Sequence, residues 1–187
     1  MRNFKKGFTL VELMIIISIF GILMSMSIPS FEGMLKRQKA SGEANNLVSL
    51  IYLARSEAIK TNQVVTICRS ADGLECGNDW KDGWMMFVDN NRNGAKEADE
   101  RIIRSGHAGN GYQVSFRAFG SNRYLRFTPL GITLSQNGTF KLCPEDNDSR
   151  YARAVIISKT ARARLAKDSD GDGIYEAANG SPLSCDS

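Results

Sequence analysis

The chain is poor in the residues that carry covalent and metal chemistry. It has a single histidine, His107, in a Gly-containing stretch, and no Cys-x-x-Cys pair, so a zinc site of imidazole and thiolate ligands lacks its ligands. No nucleophile and acid stand in a triad-like arrangement with that histidine, and no Gly-rich phosphate cradle precedes a helix. Those absences argue against an enzyme, and no cofactor is expected to be required. A small-residue exit of the Ala-x-Ala kind is missing after the one long apolar run, which is therefore not shaped like a removable secretory signal. Acidic residues are scarce between Arg101 and Lys167: three, against twelve lysines and arginines. Beyond Lys167 the balance turns acidic, so the modest formal charge of +4 hides an uneven distribution. Such a surplus attracts polyanions or anionic surfaces, or forms a solvated face.

What the chain does have begins at its N-terminus, MRNFKKGFTLVELMIIISIFGILMSMSIP. Arg2, Lys5 and Lys6 precede an apolar run from Phe8 to Ile28, about 21 residues and long enough to span a bilayer. The basic flank places its start in the cytoplasm. Gly7 is the small residue at a sensible cutting point. A carboxylate, Glu12, stands at the fifth residue of the run, where burial in hydrocarbon costs about 2.5–3.5 kcal/mol on insertion scales. Something must compensate it.

Helical character resumes after Pro29 and Gly33. Leu47, Leu50 or Ile51, Ala54 and Ala58 recur at three- and four-residue spacing, with most charges off that stripe. The spacing predicts one helix from about Thr9 to Thr61, whose second half packs on a head. Past Asn62 the pattern shifts to short β-rich runs: QVVTICR, GWMMFVD, RIIR, YQVSFRAF, YLRF, GITL, GTFKLC, RAVIIS and ARARL. Asn137–Thr139 (NGT) reads as a hairpin turn. The fold class is α+β, a long helix followed by an antiparallel head in two sheets or one curled sheet. Four cysteines allow three pairings; Cys68 and Cys76 bracket a short turn-rich stretch, which leaves Cys143 with Cys185 to tie down the tail.

The stretch KKGFTLVELMIIISIFGILMSMSIP, with Gly7, Phe8, Glu12 and Pro29 in register, closely resembles the leader and helix of type IV pilins and type II secretion pseudopilins. LARSEAI at the helix end, DWKDGWMMFVDNNRNG and SKTARARL resemble the GspH/FimT/FimU group of minor pilins and pseudopilins. The resemblance implies a pilin fold with four parts: a leader at 1–7, a transmembrane and polymerisation helix at 8–28, its amphipathic continuation at 29–61, and a β-rich head at 62–187. It implies cleavage after Gly7 by an inner-membrane prepilin peptidase, N-methylation of Phe8, and a Glu12 that meets the Phe8 amine of its own or a neighbouring subunit. The expected function is a minor type IV pilin that primes assembly near the filament tip, with other major and minor pilins as partners. The alternatives are a DNA-binding pilin for uptake and a minor pseudopilin of a secretion system. The chain would sit in the inner membrane with its head in the periplasm, and after assembly in the pilus at the cell surface.

Three stretches of the head carry candidate chemistry. DNNRNGAKEADE matches a calcium-loop spacing through Asp89, Asn91, Asn93, Gly94 and Glu100, but its strand-like flanks favour a turn without metal. DSDGDGIYE crowds Asp168, Asp170 and Asp172 with Glu176 in reach, a set that suits a hard cation such as Ca²⁺ or bulk water. SKTARARLAKD places Arg162 and Arg164 two apart, on one face of a strand, flanked by Lys159 and Lys167 and, more distantly, Arg150 and Arg153. It resembles the G-R-x-R element of FimT-like pilins, which implies DNA binding, and the lack of an aromatic platform beside the arginines, apart from Tyr151, points to double-stranded DNA. Ala161 stands where that element has glycine.

Overall fold

The computed structural model describes residues 7–107, 111–133 and 136–185, with the side chains of 26–30 excepted. One helix, α1 (Leu10–Thr61), is followed only by strands and one short 3₁₀ turn: β1 Val65–Arg69, β2 Trp84–Val88, β3 Ile102–Gly106, β4 Tyr112–Ala118, β5 Tyr124–Phe127, β6 Gly138–Pro144, β7 Arg153–Ile157 and β8 Ala163–Leu165. The chain divides into two compact units, one up to Gln38 and one from Lys39 onward.

In the first unit, every large apolar side chain from Leu10 to Met24 is 49–75 % exposed. Among the described residues no helix is long and apolar enough to cross a membrane. The expected span ends at Ile28, within the stretch whose side chains lie outside the described ones.

In the second unit, α1 buries Ala40, Ala44, Ile51, Ala54 and Ala58 completely, with Leu47 packed beside them. This is the stripe read from the sequence, extended two turns upstream by two alanines whose small side chains admit close packing. The helix ends because Asn62 turns left-handed at φ +53°. The Asn62 N–H then donates to Ile59 O (3.4 Å) and the Gln63 N–H to Ala58 O (3.3 Å), satisfying carbonyls that the helix would leave open.

The strands form two antiparallel four-stranded sheets, ordered β3-β2-β1-β5 and β4-β6-β7-β8. Ile67, Leu125 and Phe127 of the first sheet and Phe140, Leu142, Val155 and Ile157 of the second join the α1 stripe in one core. Trp80 packs edge-on against Phe140 (5.0 Å between ring centres) and gives its indole N–H to Asn122 O at 2.7 Å. Strand β7 is buried along its whole length, because the tail covers its outer face with Ala166, Leu183 and Cys185. Cys143 is joined to Cys185, Cys68 to Cys76, and Lys141 Nζ donates to Ser184 O at 2.7 Å.

Two short runs differ from their expected form. The described part of GITL belongs to a turn, in which the Gly131 N–H donates to Thr128 O and the Thr128 N–H to Ile132 O. Asn137-Gly138 does not close a hairpin; Gly138 starts β6, opposite Ala118. A Cβ on Gly138 would lie 2.5 Å from the Ala118 Cβ, so this glycine permits close strand approach rather than a tight turn.

Candidate functional site

Gly7 and Phe8 precede the helix and are exposed, so the peptide bond between them lies in non-helical chain. Thr9 is the helix N-cap. Its N–H and its Oγ1–H both donate to Glu12 Oε2 at 2.9 Å, and the Glu12 N–H returns to Thr9 Oγ1 at 3.3 Å. This is a reciprocal capping box, which satisfies orphan amides of the first turn. Glu12 is therefore held by its own helix start, at Thr9, the residue next to Phe8. The signal was in the sequence as Thr-x-x-Glu ahead of an apolar run. Gly7 has no structural reason to be glycine, since an added Cβ would meet nothing within 4 Å.

In the head, β7 and β8 form a hairpin whose turn runs from Ser158 to Arg162. The Ser158 N–H donates to Arg162 O (3.1 Å) and the Ala161 N–H to Ser158 O (2.9 Å). Ala161 adopts φ +57°, so the left-handed turn that glycine would ease is kept with alanine in its place. Alternation then exposes Arg162 and Arg164 and buries Ala163 between them, placing both arginines on one face of the edge strand. Tyr52 of α1 pins that strand by donating its hydroxyl to Ala163 O at 2.9 Å. Lys159 and Lys167 are exposed on either side. The wider basic group does not assemble. Arg150 is clamped by Asp148, with Nη2 2.6 Å from Oδ2, and Arg153 is buried with its guanidinium 4.0 Å from the Tyr175 ring.

The two acidic loops differ. Asp168, Asp170 and Glu176 bring carboxylate oxygens within 4.8 Å of one another. Asp172 stands apart from that set and accepts from the Ile174 N–H at 2.7 Å. The backbone amides of Gly171 and Gly173 donate to Asp168, and that of Ser169 to Glu176. These carboxylates adjoin the basic strand, because Asp170 and Glu176 line a cleft of about 390 Å³ with Arg164 and Lys167.

The loop at 89–100 is a turn anchored from within. Asp89 is fully buried; its Oδ2 accepts from Thr66 Oγ1 (2.7 Å) and from the Gly94 N–H (3.1 Å), with Arg126 Nε at 3.4 Å. Glu100 accepts from the amides of Asn90 and Glu97. These carboxylates serve backbone amides and an arginine instead of a common centre. His107 is exposed beside a cleft of about 410 Å³ lined also by Glu43, Trp80, Trp84 and Arg104.

A family model described as "Type II transport protein GspH" matches residues 43–161, and the prokaryotic N-terminal methylation motif matches residues 2–28. The chain belongs to the GspH family. The chain is 30 % identical over 168 residues to the pilin-like protein PilA1 of Thermus thermophilus, covering 86 % of this chain and 98 % of that protein. The type IV major fimbrial protein FimA of Dichelobacter nodosus is 44 % identical over 41 residues, 22 % of this chain and 26 % of that one. The crystal structure of the type IV minor pilin FimU of Pseudomonas aeruginosa superposes with a TM-score of 0.56 at 21 % identity, over 81 % of this chain and 98 % of that chain. The GspH-family chain therefore has a pilin-like α+β fold, a long N-terminal helix followed by an antiparallel head.

Proposed function

We propose that this chain is a minor type IV pilin, a non-enzymatic subunit that primes filament assembly at or near the tip. The observation that carries this reading is the apolar helix start. Side chains around the whole helix circumference from Leu10 to Met24 are exposed, and a helix apolar on all sides must be buried in lipid or among similar helices. Before assembly the apolar run anchors the chain in the inner membrane, head in the periplasm; afterwards it packs among the helices of other pilins.

Gly7 supports processing at this point. Glycine there answers no need of the fold, which leaves recognition by a peptidase as its reason. Cleavage frees the Phe8 amine for methylation. That amine lies next to Thr9, whose capping box holds Glu12 at the helix start. An ion pair in a water-poor filament core is strong only with both partners present and fixed. Glu12→Ala should therefore leave the amount of chain in the membrane unchanged and strip it from sheared filaments. Equal incorporation of variant and wild type would contradict the docking role.

A second reading, contact with duplex DNA, is favoured by one observation: Arg162 and Arg164 stand exposed on one face, and their guanidinium groups make no ion pair or hydrogen bond with any described residue. Such a pair suits phosphate oxygens without sequence preference, and binding should fall steeply with salt. Gel shifts of the purified chain across a salt series, with Arg162→Ala and Arg164→Ala, test it. Binding lost in both variants is the expected result; no shift even at low salt rules it out.

A further inference from the structure

The end of the first sheet opens into a cleft of about 340 Å³ beside the Cys68–Cys76 disulfide, lined by Arg69, Arg123, Tyr124, Asn78, Asn93 and Gly94 among others. The β1–β5 register pairs Cys68 with Tyr124, so Arg69 and Arg123 stand directly opposite one another, the Arg69 N–H donating to Arg123 O at 3.4 Å. Like charges opposed across an antiparallel pair repel. Among the described residues, little offsets that repulsion. Arg69 meets only the largely exposed Asp79, at 3.6 Å, an ion pair of the kind worth little. Among the described residues, the Arg123 guanidinium and the Tyr124 hydroxyl have no hydrogen-bond or ionic partner.

The Tyr124 wall of the cleft is fixed. Arg126 lies over the Tyr124 ring, 4.8 Å from its centre, and Arg126 is itself held by the buried Asp89. Gly94 presses flat against the same ring, since a Cβ there would fall 2.5 Å from it. The disulfide closes the rim at Cys76. The cleft thus gathers two guanidinium groups and a phenol around a fixed aromatic wall, with one exposed carboxylate, Asp79, beside Arg69.

We infer that this cleft is a carboxylate-recognition site that receives an aspartate or glutamate side chain from an adjoining subunit. The inference rests on the filament-subunit reading for the source of the carboxylate only. Guanidinium groups bind carboxylate and phosphate alike, but the surroundings discriminate. The flanking loops carry Asp72, Glu75, Asp79, Asp82, Glu97 and Asp99 against Lys81, Arg92, Lys96 and Arg101, a net negative border. An extended polyanion would run into that border within a Debye length of about 8 Å, whereas a single carboxylate side chain would not need to cross it.

The test uses the full chain in detergent micelles, with an acetylated, amidated tri-glutamate peptide as probe. Inorganic phosphate and a short DNA duplex run in parallel. NMR follows the Nε–H signals of Arg69 and Arg123. Saturable shifts are expected with the peptide, weakened about tenfold by Arg123→Ala, in line with loss of a hydrogen bond to a charged group. Arg123→Lys should restore part of the affinity, and Arg162→Ala should change nothing. A wild-type chain that is folded by near-UV circular dichroism yet shows no saturable shift overturns the site. Duplex binding at these two arginines as tight as the peptide's overturns its selection for a carboxylate side chain. The assay needs no filament, so its failure leaves the subunit reading standing, and failed incorporation into filaments leaves the cleft's chemistry standing.

Discussion

Asp89 brings a charge into the interior of the head and shares it with Thr66, Gly94 and Arg126. Removing one partner of a buried pair strands the other, at a cost of about 3–5 kcal/mol. Asp89→Ala should lower unfolding stability by that amount in a denaturant titration; a change below about 1 kcal/mol would show that the network is dispensable. Asp72 sits in the disulfide loop, and the amides of Leu74 and Glu75, with smaller help from Ser70, hold its carboxyl below the ordinary value. A depressed folded pKa means that its contribution is present above the unfolded value, about 3.9 for aspartate. The contribution is lost as pH falls through the lower folded value. The Leu74 and Glu75 amide signals should therefore titrate together, with a midpoint below 3.9; a midpoint above it contradicts this bonding. At Ala161 two terms oppose: glycine would relieve a left-handed backbone worth about 1–2 kcal/mol, but would remove a methyl buried in the core, worth about 0.8 kcal/mol. Ala161→Gly should stay within about 1 kcal/mol of wild type and leave the arginine face intact.

At the scale of elements, the tail is the part most dependent on a covalent tie. Cys143 and Cys185 are 42 residues apart, and closing a loop of that size stabilises by about 4 kcal/mol in the chain-entropy model. Replacing both with serine should free the tail, uncovering Ala154 and Ile156, while the core between α1 and the sheets persists. Hydrogen exchange reads this directly. Fast exchange at Glu176 and Leu183, whose amides donate to Lys167 O and Tyr175 O, with protected β6 is expected, and a tail that stays protected would contradict the view that the disulfide holds it. The α1 stripe, most of the strands and the facing of Arg162 and Arg164 were legible in the sequence, because periods of 3.6 and 2 are imposed by burial. The turn at GITL and the role of Gly138 were not, because the same residue types serve turns and close strand approach. Nor was the fate of Arg150 and Arg153: proximity in sequence says nothing about which guanidinium is clamped by Asp148 or stacked on Tyr175.

For the whole molecule, the N-terminal pattern was the most legible feature, since an acid inside an apolar run has few reasons to exist. Its capping box was readable as Thr-x-x-Glu, but the same carboxylate also fits pairing with a distant amine. The cleft at Arg69 and Arg123 was not legible, because pairing across β1 and β5 brings together residues far apart in sequence. The account stands on a chain that is cut, modified and built into a filament. Mass spectrometry of this chain recovered from sheared filaments tests that most directly. The predicted result is a mature N-terminus at Phe8 carrying one added methyl group. A chain that keeps Met1 and is absent from the filament fraction would contradict it.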